Sequence, residues 1–361
     1  MQYFQVGTNE AGQRFDKYLK KLLAGAPGSF IYKMLRKKNI TLNGKKATGS
    51  ERLELGDEVK LFFSGETFLK FSSAVPVHSS MQDGIPPQEG DALGAEGLLR
   101  QKYPCIPLEI VYENQDILAI NKPAGMLSQK AAPGDVSANE YIIGYLLEEK
   151  FLSEEQLATF RPSICNRLDR NTSGLLVAGK TLKGLQDMAC HLKGRSIGKY
   201  YRCLVKGAVY KPQIIKGWLW KDGRSNQVSV SSSELPGGKY IETGYMPISR
   251  FSVKPANKAL NGRGGGIAGM YTLLEVHLAT GRTHQIRAHL ASIGHPVLGD
   301  VKYGDRNANL WLSKTLHIHT QLLHAYRMAF PDGKEIIAPL GREFQKALDY
   351  LEGGGNNASA Y

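Results

Sequence analysis

Cysteine is scarce in this chain. Cys105, Cys165, Cys190 and Cys203 are scattered, and no two form a CxxC pair. That spacing argues against a disulfide framework and a cysteine-rich zinc site, and for reduced thiols in a cytoplasmic protein. Long apolar runs are lacking as well, and no window approaches the roughly 18 residues of a membrane span. The opening "MQYFQVGTNEAGQRFDKYL" has no charged-then-apolar order of a signal peptide. Neither GxGxxG nor GxxxxGK(S/T) occurs, so no nucleotide cofactor is expected. There is no HExxH, and His284 and His289 are five apart rather than the four that put two ligands on one helical face, so no metal is expected. A GxSxG nucleophile elbow is also missing. The last shortage is negative charge: 33 acidic residues face 46 basic ones, a formal net charge of +13. Such an excess points to a polyanionic partner, with nucleic acid leading.

At 361 residues the chain is longer than a typical single domain. Residues 1–71 have a compact pattern, with "ELGDEVKLFF" reading as a turn at Gly56-Asp57 followed by an alternating strand. Residues 72–104, including "PVHSSMQDGIPPQEGDALGAEG", are rich in Pro, Gly, Ser and acidic residues without apolar periodicity, and read as a flexible linker. Residues 105–350 alternate short β-rich runs ("LEIVYENQDILAINKP", "YTLLEVHLAT") with helical stretches ("ANEYIIGYLLEEK", "THQIRAHLASIG"). Strands outnumber helices, and 261–269 is a loose glycine-rich connection. The expectation is an α+β domain built on a large, mainly antiparallel mixed sheet with a central cleft. Residues 351–361 read as a disordered tail.

Two features carry chemistry. The first is "SFIYKMLRKKNITLNGKK" at 29–46, where Ser29 is the expected N-cap of a helix. Lys33, Arg36 and Lys37 fall on one helical face, Ile31 and Leu35 on another. Lys38 follows, and an Asn-Gly turn leads to Lys45 and Lys46. Six basic residues and no acidic one between 33 and 46 suit a phosphate backbone, although a solvated lysine face would look the same. The second is "NRLDRNTSG" at 166–174, where Asp169 lies between Arg167 and Arg170. By itself this is either a surface ion pair at a turn or a carboxylate held ionised for work. Tyr201, in the strand-like "KYYRCLVKG", could pack in the core, stack on a base or move a proton. The stretch 278–304 gathers Arg282, His284, Gln285, Arg287, His289 and His295.

Taken together, "RLDRNTSGLLV", "KYYRCLVKG", "GRTHQIRAHLASIGHPVLGDVKYG" and "LLHAYRMAFP" resemble the motifs of the RluA family of RNA pseudouridine synthases, over about residues 108–331. Residues 12–62 resemble the S4 RNA-binding fold. Asn166 stands where the family usually has histidine, "MLSQK" replaces the usual valine-histidine after Lys-Pro-Ala-Gly, and Gly179 interrupts the common Ala-Lys. The resemblance implies an isomerase that breaks the N1–C1′ bond of uridine and rejoins the sugar through C5, with no cofactor. It implies Asp169 as the catalytic carboxylate, Arg287 as its partner through a two-bonded guanidinium fork, and Tyr201 as the residue against the target base. Arg167 and Arg170 would hold the loop or RNA phosphates, with Arg282, His284 and Gln285 as further RNA contacts. Base flipping is expected, because C5 and C1′ of a paired uridine are out of reach. The S4-like start most resembles the branch acting on large-subunit ribosomal RNA. A transfer-RNA target and a non-catalytic S4-type RNA-binding protein are the alternatives. A monomer acting on RNA, without membrane contact, is expected.

Overall fold

In the N-terminal stretch the pattern of apolar residues sets the elements. A computed structural model describes residues 1–72, 97, 99–222, 227–253 and 268–353. Strand β1 (Gln2–Gln5) is followed by helix α1 (Phe15–Leu22), which buries Phe15, Tyr18, Leu19 and Leu22, the spacing of one helical face. Helix α2 (Gly28–Arg36) buries Ile31 and Leu35 as expected, but it starts one residue before Ser29. Pro27, at φ −58°, is the N-cap, and no side chain caps the helix. Strands β2 (Ile40–Leu42) and β3 (Lys45–Lys46) flank the Asn43-Gly44 turn, whose residues have φ of 51° and 70°. Two successive positive φ values are what a two-residue hairpin of matching twist requires, and Asn-Gly adopts them with little strain. Strand β4 (Glu58–Leu61) alternates as expected, burying Val59 and Leu61. The four strands form a sheet in the order β1-β4-β2-β3 over a core that includes Phe15, Leu19, Ile31 and Leu35. Helix α3 (Gly65–Phe71) closes this part, capped by the Ser64 hydroxyl, which accepts from the Thr67 amide.

The expected linker lies mostly outside the described residues. Its end does not: residues 99–102 are helical and Tyr103 is buried in the core of the large sheet. The glycine-rich 261–267 and the tail from 354 also lie outside the described residues.

The rest is α+β, as expected. Its strands are β5 (Ile110–Glu113), β6 (Ile117–Lys122), β7 (Ser163–Ile164), β8 (Ser173–Gly179), β9 (Gly198–Lys206), β10 (Gln213–Lys221), β11 (Val228–Ser231), β12 (Lys239–Val253), β13 (Gly269–Leu278), β14 (Leu323–Ala329) and β15 (Glu335–Ile337). They make one sheet in the order β11-β10-β12-β13-β9-β14-β8-β6-β5, with β15 on β14 and β7 on β8. Every pairing is antiparallel except β14 with β8. The central strand β9 shows the logic. Tyr201, Cys203 and Val205 belong to the main core, with residues of α4 (Ala138–Glu148), α6 (Leu182–Gly194) and α7 (Gln285–Ser292). Leu204 points the other way, to a second core with α8 (Arg306–Trp311) and α9 (Arg342–Glu352). Between α4 and α6 lies the short helix α5 (Glu154–Thr159), which packs against α1 of the N-terminal part. There the Thr159 hydroxyl donates to Glu10 Oε1 at 2.7 Å, in a buried contact.

The one parallel pairing explains the Thr-Ser-Gly after Asp169. Gly174 has φ +106°, and a Cβ there would lie 2.2 Å from the Ala325 carbonyl oxygen and 2.6 Å from its nitrogen. Only a residue without a side chain lets β8 and β14 approach so closely. Gly174→Ala should therefore destabilise the protein by about 3 kcal/mol, from left-handed strain and backbone overlap together. Urea denaturation measures this, and an unchanged midpoint would show that β14 can withdraw freely.

Candidate active site

The Asp169 loop is stitched to the segment after β6. Lys122, fully buried, donates from Nζ to the carbonyls of Pro123 and Met126 at 2.9 Å and of Arg170 at 3.1 Å. The Gly125 amide donates to the Arg170 carbonyl at 2.9 Å, and Arg170 Nε returns a bond to the Gly125 carbonyl at 3.0 Å. Ser128 Oγ donates to the Leu168 carbonyl and accepts from the Leu168 amide. Burial pushes Lys122 down to about 7, with the Asp169 carboxylate pulling the other way. On the far side the Thr172 amide donates to the Asp169 carbonyl, Gln321 Nε2 donates to Thr172 Oγ1, and Ser173 Oγ meets His324 Nδ1 at 2.9 Å. Asn166, which replaces the family's usual histidine, uses both ends of its amide on β8, donating to the Leu175 carbonyl and accepting from the Val177 amide.

Arg287 on α7 reaches Asp169 with one nitrogen only. Its Nη1 donates to Asp169 Oδ2 at 2.8 Å. The fork formed by Nε and Nη2 is taken by Asp300, at 2.7 Å and 2.9 Å. The two-bonded grip expected on Asp169 is thus on Asp300, because the guanidinium's second edge faces that fully buried carboxylate. Asp300 also accepts the amides of Lys302 and Tyr303. Burial opposes its charge, yet Arg287 and the two amides hold it below the usual carboxylate range. Arg287 stays charged despite burial because of Asp300 and Asp169. Of the two carboxylates on this arginine, Asp169, its side chain still 27% exposed, is the one open to the cavity.

That cavity has a volume of about 710 Å³. Arg167, Arg170, Lys199, Lys221, Arg282 and Lys302 line it, and Asp169 is the one carboxylate among the described lining residues. Tyr201 forms part of the wall, its hydroxyl kept protonated by burial and then by the Asp169 charge. Asp169, Tyr201, Arg287, Arg167, Arg170, Arg282 and His284 are therefore brought together. Gln285 also lies there but is not free to read RNA. Its Oε1 accepts from Thr280 Oγ1 and the Arg282 amide, and its Nε2 donates to the Glu242 carbonyl and Thr243 Oγ1. With every hydrogen-bonding position of the amide used internally, it fixes the loop entering α7. Lys33, Arg36, Lys37, Lys38, Lys45 and Lys46 do not line the cavity. All six are exposed, and none makes an ion pair among the described residues. Sequence reasoning missed Asp300, Lys122, Lys199, Lys221 and Lys302. All but Lys221 lay inside the quoted stretches, where for Asp300 and Lys122 an acid among bases and a lysine before proline were the available signals.

The RNA pseudouridylate synthase family matches residues 116–292, and the S4 domain family matches residues 13–59. The ribosomal large subunit pseudouridine synthase C of Vibrio cholerae serotype O1 is 27% identical over 354 residues, covering 96% of each chain. Its namesake from Escherichia coli K12 is 28% identical over 359 residues, covering 96% of this chain and 95% of the relative. Among solved structures, human RNA Pseudouridylate Synthase Domain Containing 4 superposes with a TM-score of 0.51 at 17% identity, covering 72% of this chain and 98% of that one. Human RNA Pseudouridylate Synthase Domain Containing 1 gives 0.50 at 21% identity, covering 68% and 87%. These two likenesses bear on the fold.

The shared guanidinium makes a thermodynamic prediction. Asp300→Leu leaves the buried Arg287 with only its single bond to Asp169 and should cost about 3–5 kcal/mol. Adding Arg287→Met should recover part of that loss, because the buried guanidinium is removed and the Asp169 carboxylate that loses its partner is still reached by solvent. Denaturant unfolding of the single and double variants checks it, and simple additivity would show that the two side chains are not coupled.

Proposed function

The chain belongs to the RNA pseudouridylate synthase family, and from that premise we propose that it isomerises uridines of large-subunit ribosomal RNA with Asp169 as its catalytic carboxylate. The carrying observation is the cavity itself: one carboxylate, tied to a buried arginine, behind a rim of cations. The rim suits RNA phosphates flanking a flipped nucleotide. Asp169 supplies the negative charge that meets positive charge developing at C1′ as the N1–C1′ bond breaks, by stabilising or attacking that centre. Arg287 holds the carboxylate in place, and Tyr201 packs against the base. The ribosomal substrate is supported by the relatives, which carry that name along nearly their whole length. Residues 1–71 act as an S4-type grip and 105–350 as the catalytic domain, with the exposed stripe on α2 and β3 meeting phosphates. The scattered free cysteines support a reducing, cytoplasmic setting.

Two predictions test this. Asp169→Asn keeps shape and loses charge, so release of tritium from 5-tritiated uridine in a large-subunit ribosomal RNA transcript should fall by at least ~10³-fold. RNA affinity should stay within a few-fold, and substantial residual turnover would remove Asp169 from its role. Replacing Lys33, Arg36 and Lys37 by alanine should weaken binding and flatten the plot of log affinity against log salt by about one unit per lost phosphate contact. The saturating single-turnover rate should be unchanged. An unaltered salt slope would show that the stripe does not touch RNA.

A further inference from the structure

His284 is held through Nδ1, and its residue lines the cavity. It is the residue before α7 and has φ 54° and ψ 17°, left-handed backbone that residues other than glycine seldom adopt. A histidine placed there invites a functional explanation. Its Nδ1 lies 2.9 Å from the Tyr303 hydroxyl, and the two rings meet edge to face at 5.7 Å. The same hydroxyl oxygen already accepts the Val228 amide at 2.9 Å. With that position filled by an incoming N–H, the phenol's own proton points to Nδ1. Nδ1 is then the acceptor, and a neutral imidazole carries its proton on Nε2. Burial holds His284 below the usual histidine range, with Asp169 opposing and Arg287 and Lys302 reinforcing the effect. The ring lines the same cavity as Asp169 and Tyr201.

We propose that His284 Nε2–H donates to a carbonyl oxygen of the target uracil, and that Tyr303 is the positioning residue that fixes this tautomer. The inference rests on the pseudouridine synthase reading of the site. A neutral donor suits an uncharged acceptor, whereas phosphates are met by the cations of the rim. When the N1–C1′ bond breaks, its electron pair stays with the uracil ring and spreads over N1 and the carbonyl oxygens. A fixed N–H at one of those oxygens strengthens as that charge develops, and no proton is transferred.

The test has a spectroscopic and a kinetic arm on the full chain. In nitrogen-15 spectra, wild-type His284 should show the Nε2–H tautomer, and Tyr303→Phe should lose that fixed state. In single-turnover tritium release on the large-subunit ribosomal RNA transcript, His284→Asn tolerates the left-handed backbone, but its amide ends where Nδ1 was. Its saturating rate should fall about 10²-fold, as for loss of a donor to developing charge, with half-saturating RNA within a few-fold. His284→Gln reaches the Nε2 position and should recover most of that loss. Tyr303→Phe should lower the rate about tenfold at unchanged affinity, the cost of a misdirected donor. An Nδ1–H tautomer in the wild type would overturn the proposal. So would a wild-type rate in His284→Asn, or equal losses in the Asn and Gln variants. A wild-type enzyme silent on this transcript would count against the ribosomal substrate, and the tautomer spectra would still uphold or overturn the donor assignment.

Discussion

One guanidinium divided between two carboxylates is the constraint on which the site depends. Arg287 gives its fork to Asp300, which is itself pinned by two backbone amides, and has a single N–H left for Asp169. The cation is therefore fixed from behind, independently of the carboxylate it serves. Asp169 gains a partner without having its open side blocked. Had the fork gripped Asp169 itself, both of its oxygens would have been engaged by the guanidinium, and the buried Asp300 would have been left with the single bond. A single carboxylate in a cavity otherwise lined by cations has the charge pattern that the proposed reaction calls for, with positive potential around it and one anionic group within.

The sheet makes that arrangement possible by bringing remote segments into register. Asp169 lies just before β8, Tyr201 on β9 and Arg287 on a helix more than a hundred residues further on than Asp169. The parallel contact of β8 with β14 sets where the loop leaves the sheet, and Lys122 holds its other side by neutralising three carbonyl dipoles that converge on one point. Lysine in so dry a place is costly unless all its donors are used, and here three carbonyls take them.

Much of this was legible in the residues. Alternation in "KYYRCLVKG" reads as a strand, and the structure puts Tyr201 on the inner side of that strand. The Asn-Gly hairpin and the burial of Ile31 and Leu35 follow from local rules, which act over a few residues and need no tertiary knowledge. The motif-borne pairing of Asp169 with Arg287 was also within reach. What escaped was decided by which of several like groups wins a contact. Two carboxylates compete for one arginine, and nothing in their spacing says that Asp300 takes the fork. Gln285 stands among arginines and histidines and looks like an RNA contact, but Thr243 and Glu242, remote in sequence, satisfy its amide. Composition sent the linker expectation through residue 104, whereas Tyr103 finds a place in the core that no composition reveals.

The buried contact between Thr159 and Glu10 gives the N-terminal part a seat on the body of the protein. A grip on a loose tether raises the local concentration of RNA whatever its shape. A seated grip would act as a caliper, in which the span from the lysine stripe to the cavity is held by that contact. An RNA that engages both ends must then offer its uridine at that separation, or bend until it does. On the reading proposed above, discrimination among uridines would then rest on the three-dimensional outline of the substrate as well as on the base, and loosening the Glu10 seat would blur it without touching a single catalytic atom.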